Sequence, residues 1–230
     1  MNVTSIANLY SSLQTTSAKA ATTDPVQKGL EKASTRIESQ LQAAGVRLSS
    51  YGQVKSGFAR IEDAGKTLAK TDNLSVADTK KALQSMVAAY NDTRTAAAAT
   101  SPGSASNAAN TLRRTASTDS TRQDLQTLGI TQKSDGSLSI DTKKLDQALA
   151  ANPDSAKAVA TRVGGQFQQN ASRALSESGG ISKTLNSLNT QNQQLESRLA
   201  NLQALSSAQS YSANSNSYSG IASYQRIFSM

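Results

Sequence analysis

Residues Ile37 to Leu68 read IESQLQAAGVRLSSYGQVKSGFARIEDAGKTL, and their spacing decides the fold. Ile37, Leu41, Ala44, Leu48, Tyr51, Val54, Phe58, Ile61, Gly65 and Leu68 follow one another in steps of three and four residues. The alternation breaks once, at a second consecutive three-residue step from Tyr51 to Val54. This is an a/d seam, the pattern of a helix wrapped along a long partner. Asp24-Pro25 supplies a start for it, with Asp as N-cap and Pro at the first helical position. Gly45, Gly52, Gly57 and Gly65 each weaken such a helix by up to about 1 kcal/mol. The helix needs its partner.

A matching seam lies near the other end of the chain. Ile181, Leu185, Leu188, Asn192, Leu195, Leu199 and Leu202 repeat the spacing, with Leu205 as its extension, after Gly179-Gly180. Asn192 stands where an apolar residue is expected; a polar residue there fixes register or strand number, or is solvated in a three-helix core. Two seams so distant in sequence suggest an antiparallel pair with everything between them as a hairpin-like excursion. The expected packing sets Leu41, Leu48, Phe58 and Ile61 against Leu185, Leu188, Leu195 and Leu199. Ile37, Tyr51, Asn192 and Leu202 complete the coiled-coil and assembly residues.

Between the seams, Val76 to about Ala99 reads as a third helix with Leu83, Met86, Val87 and Tyr90 on one face. Thr100 to Ala109, with Ser101-Pro102-Gly103, reads as a flexible loop. Residues 125–150 differ in kind. Leu125, Leu128 and Ile130, then Asp135-Gly136, then Leu138, Ser139 and Ile140 give a hairpin signal in which Gly136 supplies a positive φ. Asp141 caps a helix carrying Leu145, Ala148 and Leu149. Asn152-Pro153 caps the next, with Ala156, Val159 and Val163 inward.

Composition narrows the function classes. The hydrophobic class is 37% of 230 residues and aromatics are 4%. Adding glycine brings the apolar share to roughly 43%, just below that of globular domains. Ala, Ser, Thr, Gln and Asn fill the gap and suit long helices and soft tails. Cys and His are both absent, which removes disulfides, Cys/His zinc sites and imidazole-dependent catalysis. The net charge of +8 is spread along the chain, Arg113-Arg114 being the one Arg pair, so it reads as a solvated basic surface and not a nucleic-acid interface. Glu62 with Asp63 and Asp141 with Asp146 read as surface or helix-start acids. Asp135-Gly136 with Asp141 lacks the ligand spacing of a calcium loop. Gly164-Gly165 and Gly179-Gly180 lack a phosphate-loop context. The expectation is no catalytic, cofactor or metal site. Met1 to Thr23 has no basic segment followed by an apolar one, so no Sec-type signal is expected, and no apolar run is long enough to insert in a membrane.

Both ends are nearly uncharged. Residues 1–23 carry Lys19 alone, and beyond Lys183 the charges are Glu196, Arg198 and Arg226. Yet Val3, Ile6, Leu9 and Leu13 recur at helical spacing, as do Tyr218, Ile221, Tyr224 and Phe228. Such ends are expected to be disordered alone and helical in an assembly. The expected organisation is a disordered assembly and export segment over 1–24, a helical coiled-coil core over 25–205 with a small hairpin subdomain at 125–165, and a flexible assembly segment over 206–230. The fold class is mainly α: an elongated antiparallel coiled-coil helical bundle with one small β-hairpin and flexible termini.

The run LQTLGITQKSDGSLSIDTKKLDQALAANPDSAKAVA, Leu125 to Ala160, resembles the C-terminal region of the flagellar hook-associated protein 2 family, the filament cap. The matching positions are Leu128-Gly129-Ile130, Asp135-Gly136, Leu138, Ile140-Asp141, Lys144-Leu145, Ala148-Leu149 and Asn152-Pro153-Asp154. Val87-Ala88-Ala89-Tyr90-Asn91 is similar to the family's V-x-A-Y-N element, and Gln40 to Leu68 to its N-terminal helix. The resemblance spans about residues 25–205. It departs where the family carries large outer β-rich domains, since here Ala69 to Ala77 alone separates the N-terminal helix from the V-x-A-Y-N helix.

That resemblance implies a non-enzymatic structural protein of the flagellar axis, exported by the flagellar secretion apparatus to the cell exterior. Its expected partners are further copies of itself, flagellin or the hook–filament junction proteins, and an export chaperone. It would promote or terminate filament growth, assembling through its terminal helices. The alternative is a secreted coiled-coil adhesin or effector module. A third reading, an intracellular helical regulator or chaperone of axial subunits, does not call for weakly folding ends at both termini.

Overall fold

The computed structural model describes residues 25–70 and 74–227, with side chains described through 208. Seven helices and one hairpin follow in chain order among these: α1 (Pro25–Ala69), α2 (Val76–Ala98), α3 (Ser104–Ser117), α4 (Asp119–Thr127), β1 (Ile130–Gln132), β2 (Leu138–Ile140), α5 (Thr142–Ala151), α6 (Pro153–Leu175) and α7 (Gly180–Ile227). The class is mainly α with a two-stranded antiparallel sheet, as the periodicity and the Asp-Gly turn led us to expect. Pro25 opens α1 as expected, whereas Asp24, its expected cap, and tail positions Val3, Ile6, Leu9, Leu13 and Phe228 lie outside the described residues. The segment from 206 onward is helical as far as Ile227.

The chain divides into two units, Gln40–Glu196 and a second made of the described parts of Met1–Ser39 and Ser197–Met230. In the first unit the apolar faces converge on one core. Tyr51, Val54, Phe58, Ile61 and Leu68 from α1 join Leu83, Met86, Val87 and Tyr90 from α2, and Val159, Val163 and Phe167 from α6. Leu112, Leu125, Leu128, Ile130, Leu138, Leu145 and Leu149 extend it under the hairpin. The Tyr90 and Phe167 rings meet edge to face, centroids 5.8 Å apart, a geometry favoured by their quadrupoles. In the second unit, seam residues Ile37 and Leu202 are half-buried and Leu199 is buried.

One expectation fails. Thr100 to Ala109 is not a flexible loop: the connection ends at Gly103 and helix α3 begins at Ser104. Pro102-Gly103 marks the turn, and the Ser-Ala-Asn composition that resembled a linker is helical because Ala105, Ala109, Leu112 and Ala116 fall on one buried face. Leu125, expected in the apolar run before the hairpin turn, sits on helix α4.

Candidate interaction surface and the hairpin latch

Each recognisable motif residue of the hairpin region has a mechanical task. Gly129 stands at φ +69° just past α4, where its N–H returns to the Gln126 carbonyl at 3.0 Å. This left-handed position lets the chain leave the helix and enter β1, and a side chain there would meet Lys144 Cβ at 2.8 Å. β1 and β2 then pair in the register Ile130↔Ile140, Thr131↔Ser139 and Gln132↔Leu138. Gly136, at φ +80°, closes the turn, with its N–H on the Lys133 carbonyl and the Lys133 N–H on the Ser137 carbonyl, both at 2.8 Å. Asp135 Oδ1 accepts from the Ser137 N–H at 2.8 Å and its hydroxyl at 2.7 Å. These two bonds, then the charges of Arg94 and Lys133, hold the Asp135 carboxyl below the usual carboxylate value.

Downstream, Asp141 donates its N–H to the Gly129 carbonyl at 2.9 Å and accepts from the Lys143 and Lys144 N–H groups at 3.1 Å, so it joins the sheet and caps α5 at once. Asn152 caps α6 through the Ser155 N–H at 3.1 Å, with Pro153 in the first turn.

The V-x-A-Y-N element on α2 is what holds this hairpin. The Asn91 side-chain amide pairs with both backbone groups of Leu138: Nδ2 donates to its carbonyl at 2.8 Å and Oδ1 accepts from its N–H at 2.9 Å. It thereby gives the outer edge of β2 the pairing a further strand would give. One residue earlier, the Tyr90 hydroxyl donates to the Gly136 carbonyl at 2.9 Å while its ring is wholly buried. Burial raises the Tyr90 hydroxyl pKa, against the opposing effect of a hydrogen bond from Gln132 and the charges of Arg94 and Arg113. The Arg94 guanidinium donates to the Asp135 carbonyl.

The expected seam residues are distributed unequally. Tyr51, Phe58, Ile61 and Leu188 enter the one buried cluster, and Leu48 and Leu185 pack against it. Leu41 and Asn192 are half-buried, and Leu195 is buried outside that cluster. Asn192 Nδ2 donates to Glu196 Oε1 at 2.9 Å, so its amide is engaged along its own helix. Ser104, at the start of α3, links elements that carry the two seams: its hydroxyl lies 2.8 Å from Thr184 Oγ1 and 3.4 Å from Tyr51 Oη.

Helix crossings escaped the sequence reading. Gly57 faces Thr93, and Gly65 faces Gly164 and Gln168, so that a Cβ on Gly65 would stand 2.6 Å from the Gly164 carbonyl oxygen. A Cβ on Gly164 would stand 2.8 Å from Leu68 Cβ, and Thr161 Oγ1 donates to the Leu68 carbonyl at 2.9 Å beside it. These glycines lower helix propensity and in return let backbones approach closely. Their pairing was invisible because the partners lie far apart in sequence, from Gly57 to Thr93 in one crossing and from Gly65 to Gly164 in the other.

Comparison with known proteins agrees with the motif mechanics. Residues 78–215, more than half of the chain, match the family model described as flagellar hook-associated protein 2 C-terminus. No curated protein and no solved structure matches the chain. The matched span contains the α2 latch, the hairpin it holds and the capped helices that follow, and the chain belongs to the flagellar hook-associated protein 2 family.

Proposed function

We propose that the chain is a non-enzymatic structural subunit of the flagellar axis, acting as or beside the filament cap and exported by the flagellar secretion apparatus to the cell exterior. The family match over residues 78–215 carries this reading. The coupling of Tyr90 and Asn91 to the hairpin supports it, because it makes the V-x-A-Y-N motif a fold-holding device without any call on chemistry. Six residues join α1 to α2, where the family resemblance calls for large outer domains. The axial part is therefore the part this chain supplies.

Assembly runs through the seams and the ends. Ile37, Leu41, Leu48, Tyr51, Phe58 and Ile61 pair with Leu185, Leu188, Leu195, Leu199 and Leu202 in an antiparallel coiled coil, with Asn192 as a polar seam position whose amide is engaged by Glu196 of its own helix. The core spans 25–205, with assembly segments on either side over 1–24 and 206–230. Each apolar side chain of the nearly uncharged terminal stripes gains about 1.5–3 kcal/mol on full burial, which neighbouring copies or flagellin and junction subunits would supply. An export chaperone would cover the same stripes before secretion. Release of the chain into the medium by wild-type cells, and its retention by cells lacking the export apparatus, is the expected result. Equal release from both strains refutes the export claim.

A further inference from the structure

The hairpin tip gathers positive charge from three separate elements. Arg94 comes from α2, Arg113 from α3 and Lys133 from the turn itself. The first two converge on Gly136: a Cβ built there would lie 3.1 Å from Arg113 Cδ and 3.2 Å from Arg94 Nη2. Their side chains cover the glycine so closely that it is buried although it stands at a turn. Arg113 and Lys133 are nevertheless exposed, and Arg94 is half-buried.

Among the described residues none of these three cations is in an ion pair, as is true of most lysines and arginines of the chain, and what sets them apart is their meeting at one turn. The carboxylate at the tip, Asp135, spends one oxygen on Ser137 and offsets one of the three charges. Arg94 is held in place by its bond to the Asp135 carbonyl, so part of the entropy cost of ordering it is already met within the fold. Like charges brought together with less than a full counter-charge cost free energy in the isolated protein and return it when an anionic partner arrives.

The geometry points to the hairpin tip as a docking surface for a carboxylate-rich segment of a partner protein, received by Arg94, Arg113 and Lys133. Guanidinium forks match carboxylates in bidentate fashion. The aromatic ring at this place, Tyr90, is wholly buried, so it offers no stacking platform for the bases of a single strand.

The test uses the full chain and a fluorescein-labelled hexaglutamate peptide, with anisotropy read at low salt and again at high salt. Binding is expected at low salt and should fade as the Debye length shrinks. The double variant Arg113→Gln/Lys133→Gln should weaken it about tenfold, while Lys28→Gln/Lys32→Gln, which removes the same charge from α1, should leave it within about twofold. Amide shifts of the wild-type protein on titration should centre on residues 133–137, a readout that does not depend on any variant folding. Equal weakening by both double variants, shifts centred elsewhere, absence of binding at low salt, or tighter binding of oligo-dT than of hexaglutamate would each overturn the proposal.

Discussion

Replacing Asn91 by Ala removes two hydrogen bonds to one backbone unit. Leu138 is 3% exposed, and its carbonyl and N–H take the Asn91 amide at 2.8 and 2.9 Å. Leaving a buried donor or acceptor unsatisfied costs about 1–3 kcal/mol each. Asn91 itself is half-buried, so water reaches part of the vacated space and the lower half of that range applies. At about 1–2 kcal/mol for each of the two groups the expected loss is roughly 2–4 kcal/mol, a fall in Tm of roughly 5–15 °C for a unit of this size. Urea unfolding measures the loss, and amide exchange locates it: protection at Leu138 and Gly136 should drop by more than protection at Leu83, about two turns away along α2. A loss below about 0.5 kcal/mol with Leu138 still protected would refute the latch, because β2 would then be held by packing alone.

Two glycines on α1 and one on α6 separate the two uses of this residue. Gly45 and Gly52 face open space, so Ala at either should stabilise by about 0.5–1 kcal/mol in thermal unfolding. Gly164→Ala should destabilise by about 2 kcal/mol or more, since its Cβ would stand 2.8 Å from Leu68 Cβ and force the crossing apart. The Tyr90 hydroxyl is raised above its ordinary value of 10.0 by burial, so its contribution is fully present below about pH 10 and is lost as pH rises through the raised folded value. Unfolding between about pH 8 and 12 should show that decline in wild type and a flatter profile in Tyr90→Phe, whose stability at neutral pH is lower by about 1 kcal/mol for the lost bond to Gly136.

Local signals carried most of the fold into view. The α1 seam was legible because burial recurs with the helical period over many turns, and Asp-Gly between apolar residues named the hairpin because only a left-handed residue closes such a turn. Asp141 and Asn152-Pro153 were legible as caps because their side chains act on backbone two or three residues away. The latch was not legible by spacing. Asn91 and Leu138 are 47 residues apart, and no periodicity tells which backbone group an exposed-looking Asn will find. The same holds for Gly65 and Gly164. Helix α3 was missed because Ser and Asn mark loops as readily as polar helix faces, and its buried side is made almost wholly of Ala, too small to stand out as an apolar stripe.

Immunogold labelling of intact flagella with antibody against this chain tests the axial role most directly. Label confined to the flagellum, at the growing filament end or its junction with the hook, is the expected result in wild type, with none in a strain deleted for the gene and none in one producing a chain without residues 1–23. Flagella of normal length that carry no label in wild type, with the protein found wholly inside the cell, would contradict it.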